Sequence, residues 1–173
     1  MVVGVADDLG YGYATPNAVQ RAAQSFGSTR PGAWIFSKSL ARADRLIDRL
    51  TGGRTSSPEL LAGLPVLQVT MTGRKSGLPR TTPLIAVPLR DTLALLGTNF
   101  GQPHTPAWVY NLEADPHVRV SYRGVTRDLV VRPPSDEEAQ EIWAASRTLY
   151  GGYEKYRERI SGRAIRLFVL EAA

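Results

Sequence analysis

One stretch of the chain constrains the fold more than any other, because it combines strand, turn and charge signals. It runs from Thr70 to Pro83 and reads T-M-T-G-R-K-S-G-L-P-R-T-T-P. Alternating β-type residues over 66–71 lead into it, and Gly73 and Gly77 bracket a basic tripeptide. A second extended run follows. The pattern predicts a strand, a tight basic loop and a second strand.

The basic loop is a candidate anion site. Arg74, Lys75, Ser76 and Arg80 would bring cations and a hydroxyl together with free backbone N–H groups, which suits a phosphate or a carboxylate. A solvated hairpin turn is the alternative for this loop taken alone. The nucleotide P-loop requires G-x-x-x-x-G-K-[ST], and the residue before Lys75 is Arg74, so the motif does not match.

The remaining β-type runs predict an antiparallel sheet. Six strands are expected in all, over Pro65–Thr72, Thr81–Leu89, Thr92–Thr98, Val118–Tyr122, Val125–Val131 and Ala164–Leu170. Pro83 and Pro88 must lie at edges or bulges, because proline cannot donate to a sheet ladder. Strands do not alternate with helices as they do in a parallel sheet, so we predict an α+β fold whose strands curl into a small barrel.

Helix signals flank the strands. Residues 1–14 have no period and predict a loose arm, and Thr15-Pro16 predicts the start of a short helix that Gly27 ends. Further helices are predicted over 107–114, after the capping box at Ser135, and over 153–160.

The clearest predicted helix spans Ala33–Leu50 and carries a basic stripe, formed by Lys38, Arg42, Arg45 and Arg49. It is interpreted as a helix packed on the core with a charged outer face. A peripheral helix that contacts a membrane surface or a partner is the alternative.

Composition narrows the function. The net charge of +5 favours an anionic partner. The chain has no cysteine, and His104 and His117 lack metal-ligand spacing, so we predict no metal site. Few aromatic residues lie near the basic ones, which argues against single-stranded nucleic acid, and no nucleic-acid partner is expected. No apolar run is long enough to span a bilayer, and the N-terminus lacks a secretory pattern, so a cytoplasmic location is expected.

Two further groups could carry chemistry. Gly97–Asn111 places a glycine-bearing loop before a helix N-terminus, with Trp108 and Tyr110 as flat aromatic surfaces. Tyr150, Tyr153 and Tyr156 have a spacing that places them on one side of a helix. A core anchor for Trp108 and a packing stripe for the tyrosines are the structural alternatives.

Three ordered motifs then resemble one family. T-G-R-K-S-G-L-P-R-T-T-P-L, G-T-N-F-G-x-x-x-T-P-A-W-x-x-N-L-E-A-D-P-x-V and Y-x-x-Y-x-x-Y are similar to the deazaflavin-dependent nitroreductases of actinobacteria. The similarity covers about 33–171. It implies a split β-barrel over 31–173, with residues 1–30 as an N-terminal extension that is partly helical or disordered.

The resemblance implies coenzyme F420, an 8-hydroxy-5-deazaflavin with a phosphate- and glutamate-bearing tail. Arg74, Lys75, Ser76 and Arg80 would hold the tail, and Thr81 and Thr82 would line the path of the ring. The residues expected to flank the cofactor are Leu96, Gly97, Thr98, Asn99, Phe100, Gly101, Ala107, Trp108, Val109, Tyr110, Asn111 and Tyr153. Asn99 and Phe100 depart from the family, which often has a cation and a small residue there.

The implied activity is hydride transfer from reduced F420 to a quinone, a nitroaromatic compound or an activated enone. Tyr150, Tyr153 and Tyr156 would shape the acceptor pocket, with Tyr153 and then Thr98 as catalytic candidates. An FMN-dependent enzyme on the same barrel and a non-catalytic module that binds an anionic surface are the competing hypotheses.

Overall fold

The computed structural model describes residues 4–13, 18–29, 31 and 64–173. The predicted helix over 33–50, its basic stripe, and the Thr15-Pro16 helix start lie outside these residues. The described helices are α1 (Val5–Leu9), α2 (Ala18–Gly27), α3 (Ala107–Ala114), α4 (Asp136–Leu149) and α5 (Gly152–Arg159). The strands are β1 (Leu67–Thr72), β2 (Pro79–Leu84), β3 (Ala86–Leu89), β4 (Thr92–Leu96), β5 (His117–Tyr122), β6 (Val125–Arg132) and β7 (Leu167–Ala172).

The seven strands form one sheet in the order β2-β1-β5-β6-β7-β4-β3, and every neighbouring pair is antiparallel. The two outermost strands, β2 and β3, follow each other in the chain with Ile85 alone between them. Because one residue joins the two edges, the sheet has to curl until they meet. The predicted α+β class with a curled antiparallel sheet is confirmed.

The seventh strand is a correction to the predicted six. The run predicted over Thr81–Leu89 is divided at Ile85 into β2, which pairs with β1, and β3, which pairs with β4. Pro83 lies in β2 and Pro88 in β3. Both strands are at the ends of the sheet order, so neither proline interrupts an inner ladder, as predicted.

The curled sheet separates two apolar clusters. β4 contributes to both, because successive side chains of a strand point to opposite faces. Leu93 and Leu95 belong to the barrel core, which includes residues from all seven strands and from α1 and α3. Ala94 and Leu96 belong to the helix-side core, which lies between the sheet and helices α4 and α5.

The N-terminal segment is not the loose arm that the sequence predicts. Leu9 and Tyr11 are 1% and 8% exposed and belong to the barrel core. The Tyr11 hydroxyl accepts from the Ala86 N–H (2.9 Å) and lies 2.9 Å from Pro65 O and 3.0 Å from Ala86 O. It therefore pairs with backbone groups at the start of β3. The sequence did not predict this packing, because the segment has no hydrophobic period: it is held by the single side chains of Leu9 and Tyr11.

The helices follow their local signals. The Ser135 capping box is formed, with Glu138 N–H donating to Ser135 Oγ (3.2 Å) and Ser135 N–H donating to Glu138 Oε2 (2.8 Å). Helix α2 ends at Gly27, and α3 has the predicted bounds. Helix α4 packs on β3, and helix α5 packs on the short 3₁₀ turn Asn99–Gly101 that follows β4. The tyrosine-bearing segment therefore lies beside the loop after β4.

Removal of the Tyr11 hydroxyl should test its role at the bend. We expect Tyr11→Phe to lower the free energy of unfolding by about 1–3 kcal/mol, because the Ala86 N–H loses its acceptor. Denaturant titration followed by circular dichroism measures this. Tyr13→Phe is the matched control, because its hydroxyl donates to Ala86 O and takes no N–H. A Tyr11→Phe protein no less stable than the control would contradict the assignment.

Candidate functional site

The basic loop between β1 and β2 is closed by its own hydrogen bonds. Gly73 N–H donates to Leu78 O (2.9 Å), Gly77 N–H donates to Gly73 O (2.7 Å), and Gly77 has a positive φ of 67° that suits glycine. Ser76 N–H also donates to Gly73 O (3.1 Å). The expectation of free backbone N–H groups is therefore wrong for most of this loop. What the loop offers an anion is its side chains.

The cations of this loop have no carboxylate partner within the described residues. Arg74, Lys75 and Arg80 are exposed, and Arg80 Nη2 donates to Ser76 Oγ over 3.4 Å. Elsewhere in the described chain, arginines are neutralised by carboxylates, at Arg90, Arg119, Arg127, Arg132 and Arg166. The positive charge at the loop is consequently available to a ligand.

Helix α3 joins this loop to the loop after β4. Arg74 N–H donates to Asn111 Oδ1 (3.1 Å), and the Arg74 guanidinium lies 4.6 Å from the centre of the Tyr110 ring. At the other side of the helix, a Cβ on Gly97 would lie 2.9 Å from Val109 Cγ2, so only glycine fits this approach. Asn111, Tyr110 and Val109 thus fix both loops against one helix.

Helix α3 does not present all of its predicted contacts to a ligand. Trp108 and Val109 are 8% and 0% exposed, and the Trp108 ring packs 5.9 Å from that of Phe168. Their side chains belong to the barrel core, so Trp108 is a core anchor. Ala107 is exposed and Tyr110 and Asn111 are half-buried. These three remain accessible.

The turn over Thr98–Gln102 has a strained backbone. Asn99, Phe100 and Gly101 have successive positive φ values of 48°, 55° and 76°. For residues other than glycine this conformation costs on the order of 1–3 kcal/mol each. Asn99 Nδ2 donates to His104 O (3.0 Å), which stabilises the turn, and the Thr98 side chain is buried.

The turn packs against the tyrosine-bearing segment. A Cβ on Gly101 would lie 3.2 Å from Tyr156 Cα, and the rings of Phe100 and Tyr156 lie 6.2 Å apart. Leu96, which precedes the turn, is 7% exposed and lies in the helix-side core.

Tyr150, Tyr153 and Tyr156 form one cluster, but not along one helix. Tyr150 ends α4 in an extended conformation, whereas Tyr153 and Tyr156 lie on α5. Their ring centres are 5.7 to 6.5 Å apart, and the Tyr150 and Tyr156 hydroxyls are 3.1 Å apart. A Cβ on Gly152 would lie 2.2 Å from the Tyr150 ring, which explains the glycine that interrupts the helices.

Burial keeps these phenols protonated. Removal from water raises the pKa of Tyr153 and Tyr156 far above the usual value, and it raises the pKa of Tyr150 as well. Tyr13, from the N-terminal segment, has its pKa raised by burial and by the nearby Tyr11. The phenols of the cluster therefore stay protonated at alkaline pH values at which an exposed tyrosine would ionise.

Thr81 and Thr82 point in opposite directions. Thr81 is exposed and its hydroxyl lies 2.8 Å from that of Thr70. Thr82 pairs with the fully buried Val69 and therefore shares its inward face. A cofactor ring that lies on one face of β2 can therefore contact Thr81 or Thr82, but not both.

Sequence reasoning missed Arg163. Its guanidinium donates to the backbone oxygens of Gly97 (3.0 Å), Thr98 (3.0 Å) and Gln102 (3.1 Å). Burial is the main cause that lowers its pKa. No sequence motif surrounds it, and its role arises only from the fold, which brings the segment before β7 against the turn after β4.

The comparisons with known proteins converge on one description. The family of F420H(2)-dependent quinone reductases matches residues 40–172. The chain belongs to this family.

Individual relatives agree. An F420H(2)-dependent quinone reductase of Mycobacterium tuberculosis is 29% identical over 134 residues, which are 76% of this chain and 89% of the relative. The solved structure of an F420-H2 dependent reductase, FDR-A, is 31% identical with a TM-score of 0.55, covering 62% of this chain and 94% of that one. A structure described as a domain-swapped dimer is 27% identical with a TM-score of 0.58, covering 82% and 99%.

The residues present fit the cofactor of an F420H(2)-dependent quinone reductase. F420 carries a phosphate and glutamate carboxylates, so its site needs cations that are not already neutralised. Arg74, Lys75 and Arg80 have this property among the described residues. The likeness to FDR-A also supports the predicted split-barrel fold.

Alkaline titration should reveal the burial of the tyrosine cluster. Because the folded pKa values are raised, the protonated phenols stabilise the fold fully below about pH 10, and this stabilisation is lost as the pH rises further. We expect phenolate absorbance to report fewer than all seven tyrosines until the fold is lost. The urea-unfolded protein is the control. Ionisation of all seven near pH 10 with unchanged circular dichroism would contradict the buried cluster.

Proposed function

We propose that the chain is an oxidoreductase that transfers a hydride from reduced F420 to a quinone. The observation that carries this proposal is the match of residues 40–172 to the F420H(2)-dependent quinone reductases. The unpaired cations of the basic loop supply the independent physical support. Cations without a carboxylate partner are what an anionic cofactor requires, and among the described residues the basic loop carries them where the motifs predict the cofactor's tail.

The tail of the cofactor is assigned to the basic loop. Lys75 and Arg80 provide charge, Ser76 provides a hydroxyl, and Arg74 is held in place by its stacking on Tyr110. Recognition through side chains rather than backbone N–H groups predicts strong dependence on salt, because exposed charges are screened by ions.

The ring is assigned to the surfaces next to this loop. Thr82, Tyr110 and Asn111 on one side and residues 99–101 of the turn on the other are the half-buried, partly accessible candidates. Thr98 stays a predicted contact, although its side chain is buried. The buried side chains of Leu96, Trp108 and Val109 support these surfaces from within the cores. The bulk of Phe100 against Tyr156 narrows the space between turn and tyrosine cluster.

The acceptor is assigned to the tyrosine cluster. A deazaflavin has carbon where a flavin has its reactive N5, so the bound cofactor supplies a hydride, whereas the protein supplies position and a proton. Tyr153 is the candidate that donates a hydrogen bond to an acceptor oxygen and orients it. Because burial raises the pKa of Tyr153, its phenol keeps its proton and acts through the hydrogen bond. Thr98 is the second candidate donor. The same arrangement accommodates nitroaromatic compounds and activated enones as further acceptors.

Other assignments stay predictions. They include the boundary between residues 1–30 and the barrel, a cytoplasmic location, the lack of nucleic-acid binding, and membrane contact through residues 33–50. In the described residues, no helix combines the length and apolar character required to cross a bilayer.

Cofactor titration tests the proposal. We expect the protein to bind F420 with micromolar-scale affinity, followed through the cofactor's fluorescence, and to bind FMN more weakly in a parallel titration. No binding at tens of micromolar would contradict the proposal. Tighter binding of FMN would favour the FMN-dependent alternative, and binding only to anionic vesicles would favour the non-catalytic one.

Lys75→Ala isolates the charge of the loop. We expect it to weaken F420 binding by up to about fivefold at low salt and less at high salt, because an exposed cation contributes a screened interaction. Arg90→Gln removes a cation that is already paired with Glu137 and Glu141, and it should leave the affinity unchanged. Equal effects of the two substitutions would contradict a specific anion site.

Tyr153→Phe tests the proposed hydrogen bond from Tyr153 to the acceptor. We expect kcat for quinone reduction to fall on the order of 10²-fold while F420 affinity is retained, because the substitution removes a hydroxyl and keeps the ring. Steady-state kinetics and the cofactor titration measure the two effects. Tyr122→Phe, in the barrel core, is the control. Wild-type kcat in Tyr153→Phe would exclude this role.

A further inference from the structure

Arg163 lies between α5 and β7 and reaches back to the turn that follows β4. Its guanidinium donates to Gly97 O, Thr98 O and Gln102 O. These oxygens flank the strained residues 99–101 on both sides. One side chain therefore joins the two ends of the turn.

The charge of Arg163 is not neutralised by a carboxylate among the described residues. Its Nε–H is buried and has no hydrogen-bond partner there. Arg166, three residues further along, pairs instead with Glu113 over 3.1 Å. Arg163 as a whole is half-buried. Three carbonyl dipoles offset its charge in part, but a guanidinium that is partly removed from water without a counterion remains costly.

Asn99 does not supply a charge to this turn, because it is an amide and its Nδ2 donates to His104 O over 3.0 Å. The guanidinium of Arg163 does contact the turn, through its hydrogen bonds to the oxygens of Gly97, Thr98 and Gln102. An anionic ligand beside the turn would be attracted by this charge.

We propose that Arg163 is a positioning residue of the cofactor site: it holds the turn Thr98–Gln102 in its strained shape and places a positive charge next to that turn. The inference rests on the proposed function, since the ligand that responds to the charge is the anionic deazaflavin. Arg163 acts through the turn and through the electric field, and its guanidinium contacts backbone oxygens.

Two substitutions separate the two roles. Arg163→Lys keeps the charge but lacks the planar fork, whereas Arg163→Gln keeps donor groups and removes the charge. Arg166→Gln is the matched control, because it removes an exposed, paired arginine from the same segment. Each protein is first checked by thermal unfolding and then titrated with F420 at low and high salt.

We expect Arg163→Gln to raise the Kd for F420 by roughly 3- to 30-fold and Arg163→Lys to raise it less. The loss should persist at high salt, because a buried charge is screened less than the exposed Lys75. In the cofactor-free proteins, amide exchange at Gly101 and Gln102 should be faster in both Arg163 variants than in Arg166→Gln.

A third readout uses the wild-type protein and needs no variant to fold. In the nitrogen–proton NMR spectrum, the Arg163 Nε–H resonance should shift when F420 is added, and that of Arg90 should not.

The outcomes are distinguishable. Absence of F420 binding to the wild type would contradict the proposed function itself. Wild-type binding with an unchanged Kd in Arg163→Gln would overturn the positioning role, even if the exchange rates change. Equal losses in the Lys and Gln variants would overturn the charge role, as would an Arg163 Nε–H resonance that does not respond to the cofactor.

Discussion

The one-residue connection between the two edge strands, at Ile85, is the constraint on which the rest of the molecule depends. Because only this residue separates β2 from β3, the chain changes its pairing partner from β1 to β4 within one residue. The Tyr11 hydroxyl accepts a hydrogen bond from the Ala86 N–H directly after this connection. The curled sheet surrounds the barrel core, and it places helix α3 where the loops after β1 and β4 both contact it.

Electrostatics then distinguishes structural arginines from those available to a ligand. Arg90, Arg127 and Arg132 pair with carboxylates and connect elements distant in sequence. Such exposed pairs contribute little stability each, because water and salt screen the charges. The basic loop and Arg163 lack these partners among the described residues. A protein that binds a phosphate and several carboxylates requires cations that its own carboxylates do not neutralise.

Local sequence signals predicted most of the helices and strands, whereas tertiary contacts determine the arrangement of the residues at the candidate site. Alternation placed β1 correctly, Ser135 and Gly27 marked helix ends, and the ordered motifs identified the family. Pro83 and Pro88 predicted that the run over Thr81–Leu89 is broken or kinked. The position of the break, at Ile85, escaped prediction, because it arises where the chain changes its pairing from β1 to β4. The burial of Tyr11, the opposite faces of Thr81 and Thr82, and the contacts of Arg163 depend on residues far away in the chain, which no local pattern records.

The most direct test of the central claim is an anaerobic single-turnover reaction, in which reduced F420 and a short-chain quinone are mixed with the protein in a stopped-flow spectrometer. If the protein transfers a hydride from reduced F420 to the quinone, the absorbance of oxidised F420 returns with one cofactor oxidised per quinone reduced. The rate of this return increases with protein concentration. Reoxidation that is independent of the protein, or none above the uncatalysed rate, would contradict it.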